Sequence, residues 1–264
     1  REGKATIVKL TPAHLSLIQD GDYRNSPVRC MIVGGEDFKT SLAARVQRSF
    51  GEKLAIYNEY GPTEAVVGCM IHRFDMAKDQ RTSVPIGKPA DNVRIYLLDP
   101  YLQPVPPGVD GEIYIAGAGV ARGYLNRREL TEERFVTMNG EQFTVNNAQL
   151  TICNEQFINS EPAIHNSQPV TLNLKPSTPN AQRMYKTGDL ARFLDDGTME
   201  YRGRVDHQVK IHGHRIELGE IEAALSGHPA ITAATVTNRT DENRGQYLCA
   251  YYVGAADLTA QQLR

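Results

Sequence analysis

Apolar residues in the first third of the chain fall into blocks of two alternating kinds. ATIVKL (residues 5–10) is strand-like, and TPAHLSLIQD (11–20) follows with a Thr that can cap a helix and a Pro at its first helical position. VRCMIVGG (28–35) is an apolar run ending in glycines. DFKTSLAARVQRSFG then spaces Leu42, Val46 and Phe50 on one helical face, and KLAIYNEYG is another buried strand. Strand and helix in alternation predict an α/β architecture with a partly parallel sheet. From about Val84 the pattern changes to short alternating strands, VRIYLLD and GEIYIAG, separated by turn clusters such as PVPPGVDG, which predicts an antiparallel β-rich region.

Residues 137–182 interrupt this order. They hold 13 Asn or Gln and four charged residues among 46, and proline-bearing turns break them up, so they read as a surface insertion of short hairpins. Beyond them DHQVKIHGHRIELGEIEAALSGHP predicts a strand, a Gly-containing turn and an acidic helix. TAATVTN and QYLCAYYVG add two strand candidates, together the start of a small α+β domain.

Composition adds little to that outline but removes several functions. The 264 residues are 41% hydrophobic and 23% charged, ordinary for a globular protein with a sizeable core. The net charge of −2 and the scattered basic residues give no electrostatic footprint for nucleic acid. Cys30, Cys69, Cys153 and Cys249 form no CxxC or Cys/His ligand spacing, so free, mostly buried thiols in a reducing compartment are expected. No apolar run approaches the roughly 18–20 residues needed to cross a bilayer. The expectation is a cytoplasmic protein with no membrane partner. REGKATIVKLTP opens without Met and LTAQQLR closes on a helical-looking stretch, so the chain is expected to be a piece of something longer.

Candidate chemistry sits first at NEYGPTE (58–64), behind a strand, where α/β sheets place ligands. Tyr60 offers a flat ring, Gly61-Pro62 a rigid turn, Thr63 a hydroxyl for a phosphate oxygen and Glu64 a hard carboxylate suited to Mg²⁺. A decorated turn in which Glu64 caps a helix fits the same residues. In MYKTGDLARFLDDGTMEYRGRVD, Asp189 follows a Thr-Gly turn and has the chemistry to accept two hydrogen bonds from a ribose diol, and Arg204 can pair with a phosphate. Read alone, Asp189 is a turn residue sooner than a ligand, and LDDGT a hairpin.

Taken together and in order, these stretches resemble the adenylate-forming superfamily, most closely the amino-acid adenylation domains of nonribosomal peptide synthetases. The resemblance runs from about residue 5 to 260 apart from the insertion. It includes VPIGKPADNVRIYLLD, GVDGEIYIAGAGVARGYLNRRELTEERF, YKTGDLAR and GRVDHQVKIHGHRIELGEIE. It implies the C-terminal portion of the adenylate-forming fold: α/β sheet layers and an antiparallel β-rich region in residues 1–205. A hinge and a small α+β subdomain in 206–264 complete it. Tyr60 is then expected against adenine, with Gly35 and Glu36 lining the adenine side through their backbone. Gly61 and Thr63 meet the phosphates, Glu64 holds Mg²⁺, and Asp189 and Arg204 meet ribose and phosphate. Asp206 is the implied hinge, and Lys210 and Gly213 belong to the loop used in thioester formation.

The same resemblance assigns an amino-acid pocket to Lys9, Ile32, Gly34, Glu59, Val67 and Gly68, a set similar to that of asparagine-activating domains. A primary amide presents a carbonyl for Lys9 and two N–H groups for Glu59, whereas a carboxylate would be repelled by Glu59. Simple core packing is the alternative for the four apolar members. ATP and Mg²⁺ are the implied cofactors, with phosphopantetheine supplied by a peptidyl carrier protein domain; a condensation domain and a small helper protein are further candidate partners. The chain departs from the pattern in lacking the Ser/Thr/Gly-rich phosphate loop, the pocket Asp for the α-amino group and the terminal lysine, and in carrying His212 where QVKIRG is usual. His212 and His214 flank Gly213 with no third ligand nearby. Low activity of these residues alone is therefore expected, with a noncatalytic interaction module or an acyl-CoA ligase as the alternatives.

Overall fold

The computed structural model describes residues 4–138, 182–206, 208–211, 214–241 and 245–254. The Asn/Gln-rich stretch 139–181, Cys153, His212 and Gly213 lie outside the described residues. The chain divides into two compact units, Arg1–Val205 and Asp206–Arg264.

The first unit opens as the apolar blocks predict. β1 (Ile7–Leu10), β2 (Cys30–Gly34) and β3 (Ala55–Tyr60) pair in parallel, and β4 (Met70–Arg73) and β5 (Lys88–Pro89) extend the sheet antiparallel. α1 (Pro12–Ser16) is shorter than its sequence suggests. Thr11 caps it, its hydroxyl accepting from the backbone of His14, but only Pro12 and Leu15 are buried, so no apolar stripe carries the helix further. α2 (Thr40–Phe50) buries the expected stripe of Leu42, Val46 and Phe50, with Ala43 beside it, against Met31, Val33 and Ile56 of the sheet. Burying each of the three larger side chains contributes about 1.5–3 kcal/mol.

β6 (Val93–Leu98), β7 (Gly111–Gly117), β9 (Gln182–Phe193) and β10 (Met199–Arg204) form the antiparallel region, with β8 (Phe135–Met138) joined to β9 and α3 (Arg128–Arg134) leading into β8. Alternation along these strands serves two cores. Ile95, Leu97, Ile113 and Ile115 pack with Tyr60, Cys69 and Met70 of the first sheet, while Tyr96, Leu98, Tyr114 and Ala116 gather with Met138 and Met184 on the other face. LDDGT is the turn between β9 and β10, where the Asp196 carboxylate accepts from the backbone and hydroxyl of Thr198. Asp189 is not in a turn. It lies inside β9, opposite Arg204, beside a register shift where β9 meets β7. Thr187, Gly188 and Asp189 stand there opposite Ile113 alone, two residues more than regular pairing holds, which no local pattern announces.

In the second unit β11 (Val209–Ile211) and β12 (His214–Ile216) pair antiparallel, as do β13 (Ile231–Asp241) and β14 (Gly245–Gly254). α4 (Leu218–Ser226) lies on β13, where the Glu222 carboxylate accepts from Val236 N at 2.7 Å and from the Thr235 hydroxyl at 3.1 Å. Among the described residues no helix is long and apolar enough to cross a membrane.

Candidate active site

Both groups of candidate residues in the first unit are built on strands and on the loop that follows β3. Parallel register sets Lys9 beside Ile32 and Gly34 beside Glu59, on the sheet face opposite α2. Lys9 Nζ approaches Glu59 Oε2 to 2.5 Å, with the lysine half exposed and the glutamate largely covered. Two glycines make room for Glu59, Gly68 for its carboxylate and Gly34 for its backbone. A Cβ on Gly68 would lie 2.5 Å from Glu59 Oε1, and one on Gly34 would lie 2.6 Å from the Glu59 carbonyl oxygen. Val67, beside Gly68, has φ +64°.

The connection from β3 to β4 folds back on itself. Val67 N donates to Pro62 O at 3.0 Å and Cys69 N to Tyr60 O at 3.0 Å, leaving Thr63–Ala65 as one 3₁₀ turn with Thr63 exposed and Glu64 buried. Glu64 caps no helix. Its carboxylate accepts instead from the Tyr124 hydroxyl at 2.5 Å, and Tyr185 Oη lies 3.3 Å beyond.

Asp189 is almost fully buried and bonded at both oxygens, accepting from Tyr60 Oη at 2.7 Å and from Arg204 Nη1 at 2.5 Å. Arg204 Nη2 also donates to Thr187 O at 3.1 Å. Burial, followed by the neighbouring Asp189 charge, pushes the Tyr60 hydroxyl well above its usual range, and Tyr201 is raised by the same two causes. Burial pushes the Cys69 thiol up to about 12. Among the described cysteines only Cys69 is buried, and Cys30 and Cys249 are free but half-covered, so the expectation of mostly buried thiols is corrected. Cys30 and Cys249 lie at or near strand ends or edges, where less chain covers them.

The remaining predicted residues scatter around these clusters. Gly35 follows β2 with φ +91°, and the Glu36 carboxylate accepts from Ala13 N at 3.1 Å. In the second unit, Asp206 Oδ1 accepts from Gln208 N at 3.3 Å, and Lys210 pairs with Arg215 across β11 and β12. Sequence reasoning passed over Tyr124, Tyr185 and Tyr201, although all three stand in quoted stretches. Their only signal is an aromatic with a polar tip inside otherwise small or charged runs.

A buried carboxylate on one sheet, bonded to an arginine and a tyrosine, and a charged pair on the other sheet offer the chemistry to hold a polyhydroxyl phosphate ligand and a small polar molecule. The donor set fits Mg²⁺ as well: a hard carboxylate at Glu64 suits an ion completed by substrate phosphates. Comparison gives this class its family. The model described as "AMP-binding enzyme" matches residues 1–125 and that of the "AMP-binding enzyme C-terminal domain" matches 220–264. The chain belongs to the AMP-binding enzymes, as an adenylation domain of the nonribosomal peptide synthetase type.

Bacitracin synthase 3 of Bacillus licheniformis is 47% identical over 268 residues, covering 100% of this chain and 4% of the relative. Tyrocidine synthase 3 of Brevibacillus parabrevis is 46% identical over 264 residues, again 100% of this chain and 4% of the relative. The chain thus spans a small part of the curated relatives it matches. Among solved structures, holo-PA1221, a nonribosomal peptide synthetase protein containing adenylation and PCP domains bound to a vinylsulfonamide inhibitor, superposes with a TM-score of 0.76 and 26% identity, over 98% of this chain and 39% of that one.

Proposed function

We propose that the protein is an ATP- and Mg²⁺-dependent amino-acid-activating ligase that selects L-asparagine. The amino-acid carboxylate attacks the α-phosphorus of ATP, an oxygen–phosphorus bond forms as pyrophosphate leaves, and aminoacyl-AMP results. The acyl group then passes to the phosphopantetheine thiol of a carrier domain, and AMP leaves. The carrier is supported by the adenylation and PCP domains named together in the related structure.

The observation that carries the substrate assignment is the Lys9–Glu59 pair, with Gly68 leaving space beside the Glu59 carboxylate. A pair with no net charge favours a neutral polar side chain, and an amide satisfies both members by accepting from Lys9 and donating to Glu59. Aspartate would set a carboxylate against Glu59. Ile32 and Val67 supply the apolar walls. Asp189 and Arg204 orient the ribose and phosphates, Tyr60 lies against adenine once its hydroxyl leaves Asp189, and Thr63 contacts the α-phosphate. Glu64 would hold Mg²⁺, which when bound neutralises phosphate charge; positioning and such neutralisation carry most of this chemistry. Asp206 is the hinge, and Lys210 and Gly213 serve the thioester step.

Amino-acid-dependent pyrophosphate exchange by the full-length protein, run with all proteinogenic amino acids, tests the reading. Exchange is expected to be dominated by Asn and lost in Glu64→Ala. Exchange dominated by another amino acid overturns the pocket assignment and keeps the enzyme class. Preference for an acid lacking the α-amine would instead indicate an acyl-CoA ligase, and no exchange by folded protein a noncatalytic module.

A further inference from the structure

The stretch ARGYLNRRELTEERF has no role in the chemistry above, yet it is tied to Glu64 at two levels. Ala121 N donates to the Glu64 carbonyl at 2.8 Å, and the Tyr124 hydroxyl donates to the Glu64 carboxylate at 2.5 Å. A short 3₁₀ turn does little to fix a side chain, and a buried carboxylate needs a donor. The Tyr124 hydroxyl supplies it.

The tyrosine is itself locked. Its backbone N–H donates to the Thr131 hydroxyl at 3.0 Å, and its ring meets Phe135 edge-on at 5.5 Å. Gly123, at φ +142°, has no room for a side chain, since a Cβ would lie 2.4 Å from Thr131 Cγ2. The Arg183 guanidinium lies over the Phe135 ring at 4.5 Å and donates to the carbonyls of Ala121 and Arg122, clamping the loop to β9.

We infer that Tyr124 is the positioning residue for Glu64: its hydroxyl holds one carboxylate oxygen and so sets the orientation in which Glu64 meets a divalent cation. The loop from Ala121 to Phe135 is the frame that holds it. This rests on the reading of Glu64 as the Mg²⁺ ligand. Partners that orient a metal's ligands commonly change metal affinity about 10–100-fold when removed.

Mn²⁺ affinity, measured by electron paramagnetic resonance on the full-length protein with a non-hydrolysable ATP analogue present, tests the inference without turnover. Tyr124→Phe is expected to weaken Mn²⁺ about tenfold, with the metal-free affinity for the analogue unchanged. Glu64→Ala weakens it further, and Tyr124→Phe then adds nothing. Unchanged Mn²⁺ affinity in Tyr124→Phe, where Glu64→Ala weakens it, overturns the positioning role and leaves the metal assignment standing. No effect of Glu64→Ala overturns both. Should Tyr124→Phe lower the melting temperature, the double-variant comparison decides: equal losses from Tyr124→Phe with and without Glu64 would also overturn the role.

Discussion

At the scale of single residues, the site is assembled from groups whose neighbours have already claimed them. Asp189 holds Tyr60 and Arg204, Glu64 holds Tyr124, and Glu59 holds Lys9, so every carboxylate of the candidate site is partnered in the folded chain. A ribose diol or a side-chain amide would exchange one hydrogen bond for another of similar strength, which favours selectivity over raw affinity. Strain is concentrated in the same place. Val66 and Val67 both have φ near +65°, a region that β-branched residues occupy only under constraint. Val66 is exposed and has no assigned contact to a ligand. Replacing it with Asn, which tolerates that conformation, should stabilise the fold by about 1 kcal/mol. Thermal unfolding is expected to shift upward by about 2–4 °C, and an unchanged or lower midpoint would show that the turn stores no such strain.

At the scale of elements, the chemistry depends on register. Parallel pairing of β1, β2 and β3 brings Lys9 and Glu59 to one face, and a slip of one residue would send Glu59 into the buried face with Asn58. On β9, pairing with β10 sets Asp189 across from Arg204, and the register shift against β7 falls at the same place. Glycine placement completes the proposed pocket. Gly68→Ala drives a methyl group to 2.5 Å from Glu59 Oε1 and must displace that carboxylate. Asn-dependent exchange is expected to fall at least tenfold, since a hydrogen bond to a charged group contributes about 1.5–3 kcal/mol. The circular dichroism spectrum should stay unchanged; normal exchange in this variant would remove Glu59 from the pocket.

For the whole molecule, stability and site share one charged residue beneath the TGD bulge. Glu112 accepts from Gly188 N at 3.0 Å, and burial raises its carboxyl above the usual carboxylate range even though Lys186 and that bond act the other way. A raised folded-state value means its stabilising contribution is complete below the unfolded-state value of about 4.3 and is lost as pH rises through the higher folded-state value. Glu112→Gln keeps an acceptor for Gly188 without the buried charge. Its melting temperature should exceed that of the parent at pH 7, with the gain vanishing below about pH 4; a gain independent of pH would rule out this cause. Reading the chain alone is enough for the alternating strands and helices, the buried stripe Leu42, Val46 and Phe50, and the motif residues, because periodicity and turn chemistry are local. It is not enough for Asp189, whose Thr-Gly neighbours look like a turn and become a bulge only when β7 and β10 pair with β9. Nor does it reveal Tyr124, which lies 60 positions from Glu64. Hydrogen bonds between residues so far apart carry no periodic signature, and only packing of one sheet against the next brings their polar tips together.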